Sequence, residues 1–205
     1  MLDVSSDVDG IADFLSCLAG LEKRNSQLFK ILSEKIKLSA IKPQLTKIAD
    51  DNEKHAKILE SISQQIGNSK IKIKECKIKL SLVSKNIEDI FEQIKNKKEI
   101  PIKDLKDYLK MLESSGGASQ YLLIQAETFL LMPNEINKFY GMDSQKFNDL
   151  LNEMVQDIEE HILLSEEIKI RIEHELNKDK KNHQIIKYQS PDAWLTPTHS
   201  QRNDI

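Results

Sequence analysis

Two kinds of side chain that could bind a metal lie where helical periodicity predicts apolar residues. His55 falls between Ile48 and Leu59, and Glu22 lies on a stripe of leucine and phenylalanine side chains. A carboxylate that faces a core is costly unless it is paired, hydrogen-bonded or bound to a metal. Carboxylate oxygens together with imidazole nitrogens suit iron or manganese, and zinc can also use them. The chemistry open to these residues is therefore ion pairing, hydrogen bonding or the binding of a metal.

The same polar pattern recurs in the second half of the chain, at an offset of about 106 positions. Asp51 and His55 match Asp157 and His161, and in both halves the Asp lies four residues before the His. Residues at i and i+4 share a face of a helix. A paired Asp-x-x-x-His at one offset is harder to attribute to chance than matching surface charges.

The counterpart of Glu22 is Glu127, which lies in the most apolar helical stretch of the chain. Glu22, Glu127, His55 and His161, together with Asp51 and Asp157, are four carboxylates and two imidazoles whose burial calls for a shared explanation, such as a bound metal. Two alternatives stay open, namely a buried polar network without metal and solvent-facing positions for the two Asp residues.

The apolar spacing predicts helices over about 8–38, 43–66, 70–98, 102–132 and 144–176. The expected organisation is one domain over 1–176, with hairpin one at about 8–67, a connector at 70–100 and hairpin two at about 101–176. Residues 177–205 are polar and are predicted to form a flexible tail. The predicted fold class is all-α.

Composition excludes several classes of protein. Six glycines and five prolines in 205 residues are few for a β-sandwich or barrel, and a net charge of −3 is not that of a global nucleic-acid binder. No apolar run approaches the roughly 20 residues of a transmembrane helix, and the N-terminus lacks the basic start of a secretory signal. The prediction is a soluble cytoplasmic protein that binds neither membrane nor nucleic acid.

The chain resembles the ferritin-like superfamily, and within it the rubrerythrin-like proteins. The resemblance covers roughly 10–67 and 102–176, and it rests on Leu21-Glu22-Lys23-Arg24, Ile48 to Leu59, Gln125-Ala126-Glu127 and Asp157-Ile158-Glu159-Glu160-His161. It implies a four-helix bundle of two hairpins that holds a di-iron or di-manganese centre, with one Glu from each of two helices and Glu-x-x-His from the other two. The metal ligands that the resemblance implies are Glu22, Glu127, His55 and His161, with Asp51 and Asp157 as additional ligands. The four carboxylates would then carry a charge of about −4, which neutralises two divalent cations. This sequence departs from that pattern, because Asn52 and Ile158 occupy the two Glu positions of Glu-x-x-His.

The function that the resemblance implies is that of a non-haem metal protein, an oxidase or peroxidase of the rubrerythrin type that acts on oxygen or peroxide. The sequence has no rubredoxin-type Cys-x-x-Cys segment, so the electron donor is expected to be a separate protein. The chain could also form a homodimer. The alternative is a non-enzymatic helical adaptor that keeps the fold with a degraded metal site, as the two missing Glu residues suggest.

Three further features carry weaker predictions. Cys17 and Cys76 are too few for a disulfide framework, and both are predicted to be unreactive thiols of a reducing compartment, with a redox-active Cys76 as the alternative. The lysine run from Lys70 to Lys79 is predicted to be a solvated helix face, with contact to nucleic acid or an anionic partner as the alternative. Trp194 is predicted to dock onto the bundle or a neighbouring subunit, or else to mark a peptide that a partner recognises.

Overall fold

The structure, a computed structural model, describes the chain over 4–66, 76, 81–114 and 144–189, and the side chains over 12–66, 76, 84–112, 145 and 148–178. The helices are α1 (Val4–Lys35), a 3-10 turn (Ser39–Ile41), α2 (Lys42–Ile66), α3 (Ser81–Ile94), α4 (Ile102–Ser114) and α5 (Ser144–Gln189). Within these ranges the regular structure is helical apart from an isolated bridge between Ile36 and Ile100. The all-α prediction is confirmed. The four-helix bundle stays a prediction, because 115–143, with most of the predicted fourth helix, lie outside the described residues.

Helices α1 and α2 pack against each other in antiparallel directions. Fully buried leucines of α1, such as Leu28 and Leu32, and Leu45 and Ile62 of α2 belong to one apolar core. Near the start of α1, the buried hydroxyl of Ser63 donates to the carbonyl of Ala12 at 2.7 Å. This pairing of an early residue of α1 with a late residue of α2 fixes how far the two helices overlap.

The connector contains α3, which packs against α1. The predicted start of a connector helix at 70 lies outside the described residues. Arg24 of α1 donates through two nitrogens to both carboxylate oxygens of Glu88, at 3.0 and 2.9 Å. Its guanidinium carbon also lies 3.6 Å from the ring centre of Phe91. At the other end of α1, Lys35 donates to the carbonyl of Ile94, in the last turn of α3, at 2.9 Å. Polar contacts therefore join α3 to the second half of α1.

Helix α5 contacts both α2 and α4 and is longer than the sequence predicted. It continues to Gln189, so residues 177–189, which the sequence analysis assigns to a flexible tail, are helical. The polar composition of this stretch suits an exposed helix, in which pairs such as Lys178 and Glu175, 2.9 Å apart, support the helix locally. Trp194 lies outside the described residues, as does the run from Lys70 to Lys79 apart from Cys76.

A disulfide joins Cys17 of α1 to Cys76, with the two Cα atoms 5.1 Å apart. The prediction of two free thiols is therefore wrong, because the chain returns to α1 after α2 and brings together residues 59 positions apart. The cysteines no longer argue for a reducing compartment, since disulfides persist mainly in oxidising ones. None of the described helices combines the length and apolarity that crossing a membrane requires.

Candidate metal centre

The predicted site residues of α1, α2 and α5 lie together in the interior of the helix pack. The side chains of Glu22 and His55 are 1% and 0% exposed, and His161 is 4% exposed. Each lies among buried apolar neighbours on its own helix, such as Leu59 on α2 and Met154 on α5. The prediction that ionisable side chains face the core is confirmed for these three.

Two hydrogen bonds cross between α2 and α5, and we call them the crossed His–Asp pairs. His55 Nε2 lies 3.2 Å from Asp157 Oδ2, and His161 Nε2 lies 3.0 Å from Asp51 Oδ2. As the residue number rises by four on α2, the partner's number falls by four on α5, which is the register of antiparallel helices. A carboxylate only accepts hydrogen bonds, so Nε2 carries the proton in both rings and Nδ1 becomes the available ligand atom of a neutral imidazole.

Two lysines of α2 hold the Asp carboxylates of the crossed pairs. Lys47 Nζ lies 2.9 Å from Asp51 Oδ2, and Lys54 forms an ion pair with Asp157. Each lysine also reaches a second acid on α5, Lys47 to Glu160 and Lys54 to Glu153, both at 3.1 Å. The hydrogen bond to Asp51 raises the pKa of Lys47, and the lysine and His161 hold the pKa of Asp51 below its usual value despite burial. The network therefore favours ionised Asp51.

Glu22 and His55 face each other without a hydrogen bond. His55 Nδ1 and Glu22 Oε2 are 3.8 Å apart, which is too long for a hydrogen bond, and both atoms are buried without any hydrogen-bond partner. An unsatisfied buried polar atom costs free energy and calls for an explanation. The ring centres of His55 and His161 are 5.8 Å apart, so the second imidazole lies close to this gap.

The two imidazoles differ in their preferred protonation, although the repeat relates them. Burial lowers the pKa of His55, but the neighbouring carboxylates of Glu22 and Asp157 outweigh burial and raise it above the ordinary value. The pKa of His161 is lowered, because burial and the nearby charge of His55 outweigh Asp51. The side chain that breaks the symmetry is Glu22, which acts more strongly on His55.

The residues three positions before each His, Asn52 and Ile158, are also buried. Asn52 is 5% exposed and Ile158 is 1% exposed. Residues at i and i+3 share a helix face, so these are the places from which further ligands of α2 and α5 would reach the imidazoles. Asn52 has only a neutral carbonyl oxygen to offer, and Ile158 has no ligand atom.

Glu22, His55 and His161 carry atom types that bind metal ions, but the described residues do not make a complete metal site. Two ligand atoms bound to one cation at about 2.1 Å can lie up to about 4.2 Å apart, so the 3.8 Å gap between Glu22 and His55 is within reach of a shared ion. Among the residues that the structure describes, no three His, Cys, Asp or Glu side chains are grouped closely enough to hold a metal. The other predicted ligand, Glu127, lies outside the described residues.

Comparison with known proteins adds no identity, since no family model, curated protein or solved structure matches this chain. Sequence reasoning placed each Asp beside the His of its own helix and missed that each binds the His of the other helix. It also missed the roles of Lys47 and Lys54. The signal available for Lys47 was its position four residues before Asp51, which is the spacing of a helical ion pair.

Proposed function

We propose that this chain is a metal-binding helical protein of the ferritin-like kind, which uses iron or manganese in oxidation–reduction reactions with oxygen or peroxide. The observation that carries the proposal is the pair of buried, unpartnered atoms Glu22 Oε2 and His55 Nδ1 that face each other. A cation between them would satisfy both atoms, neither of which has a hydrogen-bond partner among the described residues.

The chain's own residues divide into ligands and residues that position the ligands. Glu22, His55 and His161 supply the ligand atoms, with Glu127 as the predicted fourth ligand. The crossed hydrogen bonds favour a positioning role for Asp51 and Asp157 over direct coordination, because a carboxylate on Nε2 fixes ring orientation and increases ligand basicity.

When bound, the reduced metal would supply electrons to oxygen or peroxide, and a separate electron-donor protein would be needed to restore the reduced state. The protein would contribute a buried environment that excludes bulk water and a carboxylate that compensates the cation's charge. The half-buried Asp residues, whose side chains are 14% and 15% exposed, connect the buried imidazoles to lysines at the surface.

Metal binding tests the proposal directly. Metal-free protein is loaded with Fe²⁺ under argon or with Mn²⁺, and bound metal is counted after gel filtration. His161→Gln should lower the retained metal at least tenfold, because it removes a ligand, while His174→Gln on the same helix should retain the wild-type amount, since His174 is 67% exposed. Glu22→Gln should behave like His161→Gln.

Equal metal retention by wild type, His161→Gln and Glu22→Gln would contradict these ligand assignments. Consumption of oxygen or peroxide by the loaded wild type, with a chemical reductant present, tests the redox part of the proposal. Metal binding without any such turnover would reduce the proposal to metal binding alone.

Removal of a positioning carboxylate gives an independent test. Asp51→Asn keeps the size of the side chain but removes the negative charge that orients His161, so metal affinity should fall by about 10-fold to 100-fold. Asp149→Asn is a matched control, because Asp149 is exposed on α5 and accepts a hydrogen bond from Gln145 of the same helix at 2.9 Å. An unchanged affinity in Asp51→Asn would contradict the positioning role.

A second candidate is the non-enzymatic helical adaptor with a degraded metal site. It is favoured by the absence of any three grouped metal-binding side chains within the described residues. In that case Glu22 and protonated His55 would form a buried ion pair, which agrees with the raised pKa of His55. If the unfolding temperature is the same with Fe²⁺, with Mn²⁺ and with a chelator, this candidate is supported. A metal that bound only the folded state would raise that temperature.

A further inference from the structure

Helix α5 exposes aliphatic side chains on the side that faces away from the core. Among the described residues, the large hydrophobic side chains that are exposed are Ile162, Leu163 and Ile170, at 40%, 69% and 67%. Single exposed aliphatic side chains are ordinary on a protein surface, whereas a group of them marks an interaction site. All three lie on one short stretch of a single helix, so they form such a group.

The two most exposed of these side chains form a line along α5. Successive residues of an α-helix are about 100° apart, so Ile170 lies about 200° around the helix from the buried Ile168 and from the buried Ile172. Leu163 and Ile170 are seven residues apart, which places them about 20° apart around the helix and about two turns apart along it. We call Leu163 and Ile170 the outer strip of α5, since they point away from its core-facing side.

Carboxylates surround the outer strip. Glu159 lies one turn before Leu163, and Glu166 and Glu167 lie between the two aliphatic side chains. All three glutamates are exposed. Glu166 forms an ion pair with a lysine of the same helix, so part of the negative charge is compensated there. The surface is therefore apolar at its centre and acidic beside it.

A second copy of this chain does not fit the outer strip. In a parallel pair of α5 helices, each glutamate beside the strip would face the same glutamate of the other copy. In an antiparallel pair that brings Leu163 against Ile170, Glu166 would face Glu167 of the second copy. Like charges that face each other across an interface are unfavourable. A stable homodimer also buries far more apolar area than two aliphatic side chains per chain provide.

We propose that the outer strip of α5 is a docking surface for a basic amphipathic helix of another protein. That helix would place aliphatic side chains against Leu163 and Ile170, and lysine or arginine side chains against Glu159 and Glu167. The apolar contacts supply affinity, and the opposite charges select the partner and speed its association. Because the apolar area is small, the complex is a weak and transient one.

A synthetic peptide serves as the probe for this surface. It is a lysine-rich, fluorescently labelled helix of about 20 residues, long enough to be helical, with leucines at seven-residue spacing. Its binding to the full-length protein is followed by fluorescence anisotropy. The aliphatic double variant, Leu163→Gln with Ile170→Gln, should weaken binding by about tenfold or more, because two apolar contacts are lost. A peptide with glutamate in place of each lysine should not bind.

A second variant tests the role of charge. The glutamate double variant, Glu159→Gln with Glu167→Gln, should weaken binding by about threefold or more, since exposed charge pairs contribute little individually. It should also reduce the loss of affinity between about 0.05 M and about 0.5 M salt, because salt screens exposed charges. The matched control, Glu60→Gln with Asp89→Asn, removes two exposed acids of other helices and should bind the peptide as the wild type does.

Three results would overturn the proposal: no binding of the lysine peptide by the wild type, equal binding of the two peptides, or equal binding by the wild type and the aliphatic double variant. Analytical ultracentrifugation tests the other occupant. A wild-type dimer that the aliphatic double variant converts to a monomer would assign the strip to a second copy and also overturn the proposal. If circular dichroism shows that the aliphatic double variant does not fold, the glutamate double variant and its control decide the proposal.

Discussion

Opening the disulfide between Cys17 and Cys76 is expected to remove a large part of the protein's stability. The bond joins residues 59 positions apart, so it restricts the unfolded chain far more than the folded one. The loop-entropy relation assigns about 4 kcal/mol at 25 °C to a closed loop of this length. Since domains are commonly stable by roughly 5–15 kcal/mol, the reduced protein should have little stability in reserve.

The comparison that isolates this effect is wild type with the disulfide intact against wild type after reduction, each unfolded in urea and followed by circular dichroism. Because Cys17 is 2% exposed, replacing it would also disturb core packing, and reducing the unaltered chain avoids that complication. With a denaturant slope of roughly 2 kcal/mol per molar urea, the midpoint should fall by about 2 M. The double variant Cys17→Ser with Cys76→Ser should show one midpoint with and without reductant.

A midpoint that moves by less than about 0.5 M would refute the loop-entropy reasoning, since it corresponds to only about 1 kcal/mol. The oxidised sample must first be shown by mass spectrometry to lack free thiols. Two reactive thiols in native protein purified in air would refute the disulfide itself.

Three further predictions concern packing, a surface contact and pH. Leu32→Ala should lower the free energy of unfolding by about 2–5 kcal/mol, because Leu32 is 0% exposed. Leu163→Ala is the control, and since Leu163 is 69% exposed it should change this free energy by less than about 0.5 kcal/mol. Equal losses for the two variants in urea unfolding would contradict the assigned core. Arg24→Ala should lower the free energy of unfolding by about 1 kcal/mol, since the ion pair of Arg24 with Glu88 is partly exposed and its contact with Phe91 is a single cation–π interaction. A loss above about 3 kcal/mol would mean that Arg24 stabilises more of the structure than its contact with α3. In metal-free protein with a chelator, His55 has a folded-state pKa above its unfolded value, because the carboxylates beside it outweigh burial. The contribution of His55 to stability should therefore be complete below about pH 6.5 and should be lost as the pH rises through the folded-state pKa. The difference in free energy of unfolding between wild type and His55→Gln should then shrink as the pH rises. A difference that grows with pH would contradict the raised pKa of His55.

Much of the helical framework could be predicted from residue spacing alone. The start of α2 next to Pro43 and its end at Ile66 follow from the proline in the first turn and the Gly67-Asn68 that comes after the last apolar position. The far end of α5 could not be predicted in this way. Beyond Leu176 the residues are polar, and a polar stretch of sequence is equally typical of an exposed helix and of a tail.

The residues of the candidate site could be predicted from the sequence, but the partner that each of them contacts on another helix could not. Glu22, His55 and His161 stand out because ionisable side chains on apolar stripes need a compensating partner. Which partner each one has depends on how helices far apart in the sequence lie against one another. The disulfide illustrates the same limit, because two cysteines in a sequence do not indicate whether their Cα atoms approach to 5.1 Å.

The sequence by itself determined which side chains are buried on α1, α2 and α5, and it determined the repeat of Asp and His at an offset of about 106. These properties follow from helical periodicity, which is local. Only the tertiary structure decided that Asp51 binds His161 and that Asp157 binds His55, because the antiparallel contact of α2 and α5 places the Asp of each helix opposite the His of the other. The same contact leaves Nδ1 of His55 facing Glu22 across 3.8 Å, and this gap is where we propose that the metal binds.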